Sequence, residues 1–284
     1  MSDPAPRRRI PRFWGIHAQP STGLRWGLAL IPFLLLAMVY GIASWQRHQD
    51  NPADKVLPKA SQMVNAVERM AFTQDARSGD YVLWRDTGAS LKRLAIGLSI
   101  AALLGLLIGL NMGVFAGMNA TGGPFVTFLS MIPPLAILPI LFIALGVGEV
   151  SKVALIVIGV TPVIARDLAG FVAQIPREQH TKALTLGASQ LGLVWRVLLP
   201  QVWPRLIEAV RLSLGAAWLF LIAAEAIASD DGLGYRIFLV RRYLAMDVIV
   251  PYVLWITLIG YTMDFGLRLL LRRAFPWHVA GQKT

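Results

Sequence analysis

Cysteine is absent from the 284 residues, and charge is scarce at 15%. The missing thiols exclude a disulfide framework and thiolate metal sites. The four histidines, His17, His48, His180 and His278, sit in tails or loops without HExxH pairing, so no metal site is expected. No Gly-x-Ser-x-Gly turn and no GxxxxGK[ST] loop occurs, so neither a hydrolase nucleophile nor ATP hydrolysis is expected of this chain. Catalytic residues are therefore none.

What the chain has is apolar residues, 56% of the total. A soluble domain carries about 25% charged residues, and the charges here are unevenly spread. Leu94 to Gly148 contains none at all. A bilayer crossing takes about 20 apolar residues, so this stretch accommodates two crossings and a tight turn. The net charge of +11 does not point to nucleic acid, because the basic residues flank apolar runs. Arg7, Arg8, Arg9, Arg12 and Arg25 precede the first run, while Arg268, Arg272 and Arg273 end the last. That placement is the signature of membrane orientation.

Six spans are expected: Trp26–Trp45, Ser90–Met118, Pro124–Leu145, Lys152–Ala173, Arg205–Ala228 and Val248–Leu271. The first is too long for a secretory signal and lacks a clean cleavage site. The corresponding divisions are an N-terminal tail (1–25), a first helix (26–45), a segment with a surface helix (46–89), a five-helix core (90–271) with a loop at 174–204, and a C-terminal tail (272–284). An even number of spans puts both termini on one side, and the basic tails make that side cytoplasmic. The 174–204 loop is then cytoplasmic too. Two segments on the other side read as surface helices, Ser61–Ala71 and Tyr235–Met246. Arg236, Arg241 and Arg242 on the second break the charge rule, and either lipid headgroups or an external partner would account for them.

Several residues mark packing or a path. Gly105, Gly109, Gly113 and Gly117, extended by Ala101 and Gly97, repeat every four residues and form a groove for close helix approach. Pro133 and Pro134 remove backbone donors at membrane depth, where irregular backbone survives only against protein or a watery cavity. Arg166, Asp167 and Glu225 are charges at depth and hence functional candidates, with Trp218 nearby in sequence to the last. Asp264 and Arg268 are four apart and suited to pair on one face.

The 174–204 loop is the best-punctuated segment. Pro176 suits a helix start, Glu178 complements its N-terminus, and Gly187 suits a left-handed stop. Ser189 can cap a second short helix that Pro200 ends. The spacing Ala183, Gly187 and Val197-x-Leu199-Pro200 resembles the EAA loop of ABC importer permeases, EAA-x3-G-x9-I-x-LP. Thr181-Lys182 replaces Glu-Ala, and Val197 replaces isoleucine.

The resemblance covers nearly the whole chain after the first span and is to the nitrate/sulfonate/taurine/bicarbonate permease group. It is carried also by Leu57-Pro58, Ser90-Leu91-x-Arg93, Ile132-Pro133-Pro134, Leu138-Pro139, Gly146-x-Gly148-x-x-Ser151-Lys152, Trp218, Glu225 and Gly232-Leu233-Gly234. It implies an all-α polytopic protein with about six transmembrane helices and the type I ABC importer permease fold, in the bacterial inner membrane. Arg177, Glu178, Thr181, Lys182, Ala183, Gly187, Ala188, Leu199 and Pro200 would then form the loop that couples to an ATPase subunit. The implied partners are ABC ATPase subunits, a periplasmic substrate-binding protein, a second permease copy and the bilayer. ATP and magnesium would reside on the ATPase, leaving no cofactor in this chain. The solute is expected to be small and polar. Arg166-Asp167, where relatives often have Asn-Thr, resembles a subset associated with urea- or guanidine-related compounds. A carrier or channel independent of ATP is the competing reading, although no internal repeat supports it.

Overall fold

The computed structural model describes residues 21–52, 54–76 and 79–281. The basic residues Arg7, Arg8, Arg9 and Arg12, with most of the expected N-terminal tail, lie outside them. Among the described residues the structure is helical, without strands. It divides into two units, 1–62 and 63–284.

In the first unit, α1 (Thr22–Asp50) is almost entirely exposed and apolar, with Phe33, Leu34 and Leu36 each at least 65% exposed. A surface of that kind is stable only in hydrocarbon or against a partner. The chain after α1 folds back along it. Tyr40 donates to the Pro58 carbonyl at 2.8 Å, Ser44 to that of Leu57 at 2.9 Å, and Arg47 pairs with Asp54 at 3.0 Å.

Helix α2 (Ala60–Ala71) crosses the boundary between the units. The second unit continues with α3 (Val82–Val114), α4 (Ala116–Met131), α5 (Leu138–Leu145), α6 (Glu149–Ala173), α7 (Arg177–Thr185), α8 (Gln190–Leu193), α9 (Leu199–Ile227), α10 (Leu233–Arg241), α11 (Met246–Ala274) and α12 (Pro276–Gly281). Its core is the packing of α6 between α3 and α9, around Leu94, Leu155, Ile156, Ile164 and Leu221, all fully buried.

The small-residue groove decides the α3–α6 contact. A Cβ at Gly97 would stand 2.9 Å from Ile156, at Gly105 2.6 Å from Ile164, at Gly109 2.6 Å from the Ala165 carbonyl oxygen, and at Gly113 2.5 Å from Val172. These backbones approach too closely for any side chain but hydrogen. Gly117 is different: it lies on α4, and nothing stands within 4 Å of a Cβ there. The chain breaks helix at Phe115, so the expected ladder ends one step early.

The expected third span is also revised. It is two helices, α4 and a second arm beginning with a 3-10 turn over Pro134–Ile137 and continuing as α5, bent by 81°. Pro133 and Pro134 lack amide protons, and Ile132, restricted by the proline after it, takes the extended conformation that ends the first arm. Five helices are long and apolar enough to cross a membrane, or six if the bent pair is one span.

Helix α9 is preceded by another irregularity. Val194–Leu198 forms a π turn, so the chain from Gln190 to Ile227 is one long run. Pro200 was expected to stop a helix there, but it occupies the start of α9 instead. The reason is local: Leu199 reaches back five residues to the Val194 carbonyl, and the widened turn absorbs the proline ring.

Candidate functional site

Three places in the second unit hold the residues singled out by sequence. At the far end of α9, Glu225 is fully buried and its carboxylate is completely engaged. It accepts from Ser90 Oγ at 2.8 and 2.9 Å, from Arg93 at 2.8 Å and from the Gly234 amide at 2.9 Å. Arg93 donates further to Glu149 at 2.6 and 2.7 Å and to the Asp231 carboxylate at 2.5 Å. Lys152 bridges Glu149 and Ser229, each at 3.0 Å.

Beside this cluster lies a second buried carboxylate, Asp86. It accepts from Arg236 at 2.8 Å, from the Gly232 amide at 3.2 Å and from Tyr252 Oη at 3.3 Å. Burial opposes the Arg236 charge, but the Asp86 carboxylate outweighs it and raises the guanidinium pKa above its ordinary value. The N-terminus of α10 is therefore laid over both acids, with the Leu233 amide also bonded to Ser90 Oγ at 2.9 Å. Glycine permits the approach: a Cβ at Gly232, whose φ is +111°, would stand 2.5 Å from the Glu225 carboxyl, and one at Gly234 would stand 2.6 Å from the Ile222 carbonyl.

This arrangement ties α3, α6, α9, α10 and α11 together. Buried charges persist only when paired and hydrogen-bonded, and these are. Glu225 is thus enclosed by protein groups. Arg236 likewise points inward at only 14% side-chain exposure, whereas Arg241 and Arg242 are exposed. The expected basic surface helix ends at Arg241, with Leu244 at φ +54° in the turn that follows.

The opposite end of α9 carries the elbow. Helix α7 closes with Ala188 N–H bonded to the Ala183 carbonyl and Gly187 N–H to that of Leu184, both at 3.0 Å, and Gly187 has φ +86°. Those two bonds are a Schellman closure, which needs the left-handed glycine. Pro176 stands one residue before the helix, and Glu178 falls in its first turn. Ser189 Oγ accepts from the Gly192 amide at 3.0 Å and caps α8. Arg177, Glu178, Thr181, Lys182, Gly187 and Pro200 are exposed, and Ala183, Ala188 and Leu199 partly so. Leu186 and Leu191 are 87% and 72% exposed, an apolar tip on a polar element.

The third place is a recess of about 380 Å³ where α3, the α4–α5 break, α6 and α9 meet. Pro134, Ser130, Thr161, Pro162, Ala216 and Phe220 are among its lining. Thr161 is 12 residues beyond the start of α6, about 18 Å along it, roughly halfway through a bilayer about 30 Å thick. Arg166 donates to Ser130 Oγ at 2.8 Å and forms no ion pair among the described residues. Asp167 points elsewhere. It is held by Arg205 of α9, with Nε 2.8 Å from its Oδ2, and lines a separate cavity of about 160 Å³ between α6 and α9. Trp218 is buried against Gly260 of α11, outside the recess.

The path residues named from sequence are thus divided: Pro134 lines the recess and Arg166 is bonded to Ser130 at its edge, while Asp167, Trp218 and Glu225 are taken up in helix contacts. Asp264 pairs with Arg268, as its spacing suggests, and also with Arg211 at 3.1 Å. Sequence reading assigned no role to Ser130, Thr161, Asp86 or Arg205. The residues that hold Asp86 (Gly232, Arg236 and Tyr252) and the long-range partners of Arg205 (Asp167) and Ser130 (Arg166) lie 36 to 166 positions away, so no local spacing reveals them.

Comparison with known proteins gives this geometry its context. Residues 96–276 match the family described as the binding-protein-dependent transport system inner membrane component. This chain belongs to that family. The permease is 35% identical over 223 residues to the taurine transport system permease protein TauC of Escherichia coli, covering 78% of this chain and 80% of that one. It is 33% identical over 187 residues to the bicarbonate transport system permease protein CmpB of Synechococcus elongatus, covering 65% and 67%. It is 31% identical over 189 residues to the putative aliphatic sulfonates transport permease protein SsuC of Bacillus subtilis, covering 66% and 68%.

Among solved structures, an inward-facing MetNI methionine ABC transporter matches with a TM-score of 0.61 at 20% identity, over 70% of the permease and 99% of that chain. A bacterial alginate ABC transporter in complex with an alginate pentasaccharide-bound periplasmic protein matches with a TM-score of 0.61 at 12% identity, over 93% and 98%. At those identities the likeness is one of fold. The permease is a multi-pass inner-membrane transport component and not an enzyme, with the all-α fold of ABC importer permeases.

Proposed function

We propose that this permease imports a small anion, powered by a separate ATPase that seats the 174–204 elbow. Both termini and the elbow lie in the cytoplasm, a periplasmic binding protein delivers the solute to the Glu225 end, and a second copy of the chain completes the pore. One observation carries the choice of anion. The carboxylates considered as cation ligands are both neutralised, Glu225 by Arg93 and Asp167 by Arg205, whereas Arg166 is bonded, among the described residues, only to a hydroxyl. A cation without a carboxylate partner toward the inner end of the span favours an anionic visitor. The names of the relatives, taurine, bicarbonate and aliphatic sulfonates, share an acidic group. A guanidine or urea solute, suggested by Arg166-Asp167 as a pair, loses its ligand once Asp167 is bonded across to α9.

The coupling reading rests on continuity: the elbow runs through the π turn into α9 without a loop, so displacement of α7 and α8 is delivered to α9 and, through Arg205–Asp167, to α6. The test is reconstitution with the cognate ATPase and binding protein. Anion accumulation should require ATP hydrolysis and cease with a hydrolysis-dead ATPase. Accumulation that continues with the dead ATPase and follows an ion gradient would establish a secondary carrier instead.

A further inference from the structure

We infer that the C-terminal end of α11 and the turn into α12 form a binding site for the headgroup of an anionic phospholipid, held by Arg272, Arg273 and Trp277. The inference is independent of which solute is carried.

Three arginines close α11, and the structure separates them. Arg268 is paired with Asp264, one turn earlier on the same helix. Arg272 and Arg273 are exposed and make no ion pair among the described residues. A guanidinium presents a planar fork of donors that matches phosphate, and two side by side suit a group carrying full negative charge.

The face that they terminate is the second observation. Along α11, Leu254, Leu258, Tyr261, Phe265 and Leu269 recur at three- or four-residue steps and are 37–62% exposed. Arg272 is the next step. From Leu254 to Arg272 is 18 residues, about 27 Å, close to the roughly 30 Å of a bilayer's hydrocarbon. The most apolar stretch of α11 is only 11% buried, against 39% in α3 and 44% in α6. Acyl chains therefore cover this face, and Arg272 and Arg273 stand where headgroups begin. Trp277, 60% exposed and set edge-on to Phe275 with ring centroids 5.5 Å apart, follows them with an indole, a ring favoured at that level.

Charge decides between lipid and a second copy of the chain. Another copy would bring a further +11 toward two unpaired cations, whereas an anionic headgroup neutralises them. The site is also tied to the rest of the unit. Nε2 of His278, next in the chain to Trp277, lies 3.6 Å from Glu208 of α9. Glu208 in turn pairs at 3.3 Å with Arg205, which holds Asp167 of α6.

The chain's lack of cysteine provides the test. Ala274→Cys, at an exposed position next to Arg273, carries a bimane label in the assembled transporter, reconstituted in lipid nanodiscs. The unsubstituted transporter, labelled alike, supplies the background from other subunits. Quenching is followed as brominated phosphatidylglycerol or brominated phosphatidylcholine replaces unbrominated phosphatidylcholine. Arg272→Gln/Arg273→Gln and Arg272→Lys/Arg273→Lys are compared on the labelled chain, and the same titration at two salt concentrations needs no further substitution.

Phosphatidylglycerol should half-saturate quenching at a mole fraction about 25-fold lower than phosphatidylcholine, about fivefold for each arginine. The glutamine pair should bring the two lipids within about twofold of each other, and the lysine pair should keep most of the preference. Raising salt from 0.1 to 1 M, which shortens the screening length from about 10 to about 3 Å, should shrink it. Equal quenching by both lipids in the parent protein, or a preference unmoved by the glutamine pair or by salt, would overturn the inference. Quenching by neither lipid would mean that a protein subunit covers this end of α11, and would overturn it as well. Displacement of the lipid by free glycerol phosphate at equal concentration would make this a soluble-anion site and sink the lipid assignment. None of these outcomes bears on ATP-coupled anion uptake, which the reconstitution tests separately.

Discussion

The guanidinium of Arg93 donates at 2.8 Å to the carboxylate of Glu225, a residue 132 positions later and fully buried. Arg93 also holds Glu149 and Asp231, so one cation gathers three acids from different segments. The consequence is an asymmetry between the partners. Arg93→Met strands a buried carboxylate and should destabilise by about 3–5 kcal/mol, whereas Glu225→Gln leaves Arg93 with two other acids and should cost about 1–3 kcal/mol. The double variant Arg93→Met/Glu225→Leu should recover part of the loss. Thermal unfolding of the purified permease ranks the three; equal losses for the two single variants would show that Glu225 does not depend on Arg93.

A second prediction separates the glycines. Gly109→Ala would force a methyl to 2.6 Å from the Ala165 carbonyl, which belongs to the backbone and cannot rotate away. Overpacking of this kind costs about 1–3 kcal/mol, while Gly117→Ala, with open space around it, should change stability by less than about 0.5 kcal/mol. Melting temperatures in the same detergent decide this, and a comparable drop for both would remove the special role of the α3–α6 groove.

What the sequence discloses follows from what is local. The apolar runs, the four-residue glycine spacing and the Gly187 stop are governed by neighbours within a turn or two, and so they are legible. The bend at Pro133-Pro134 was legible as irregular backbone, but its 81° angle depends on what α6 and α9 leave room for. The role of Pro200 misled because the rule that proline ends a helix assumes a regular preceding turn, and a π turn relieves it. Glu225 and Asp167 stood out as functional candidates because no local spacing shows what neutralises them. Their arginines, 132 and 38 positions away, are supplied by packing.

The elbow gives a third prediction. Gly187 has φ +86° and makes the Schellman bond to Leu184, so a β-carbon there is strained by about 1–2 kcal/mol and proline would remove the amide donor. Gly187→Pro and Gly187→Asp should abolish ATP-coupled uptake while the chain still inserts in the membrane, because the altered element is exposed and distant from the α3–α6–α9 core. Gly187→Asn, which tolerates the left-handed region, should retain most activity. Wild-type transport by the proline variant would refute the lever.

The last prediction concerns the basic turn after α10. Arg236, Arg241 and Arg242 look alike in sequence, yet Arg236 is spent on Asp86 whereas the other two are exposed, Arg241 lying 4.9 Å over the Phe238 ring. Charge reversal should therefore produce two distinct phenotypes. Arg241→Glu/Arg242→Glu should leave stability within about 0.5 kcal/mol and weaken docking of the proposed binding protein, mainly through slower association. The weakening should be larger near 0.01 M salt, where screening extends over about 30 Å, than at 0.1 M, where it is about 10 Å. Arg236→Glu should instead set two buried acids against each other and lower the melting temperature, whatever the salt. Docking measured by surface-immobilised transporter at the two ionic strengths separates the cases. A salt-independent loss in the double variant would mean that these arginines act by packing or on lipid, and a stable Arg236→Glu protein would mean that Asp86 finds its charge balance elsewhere.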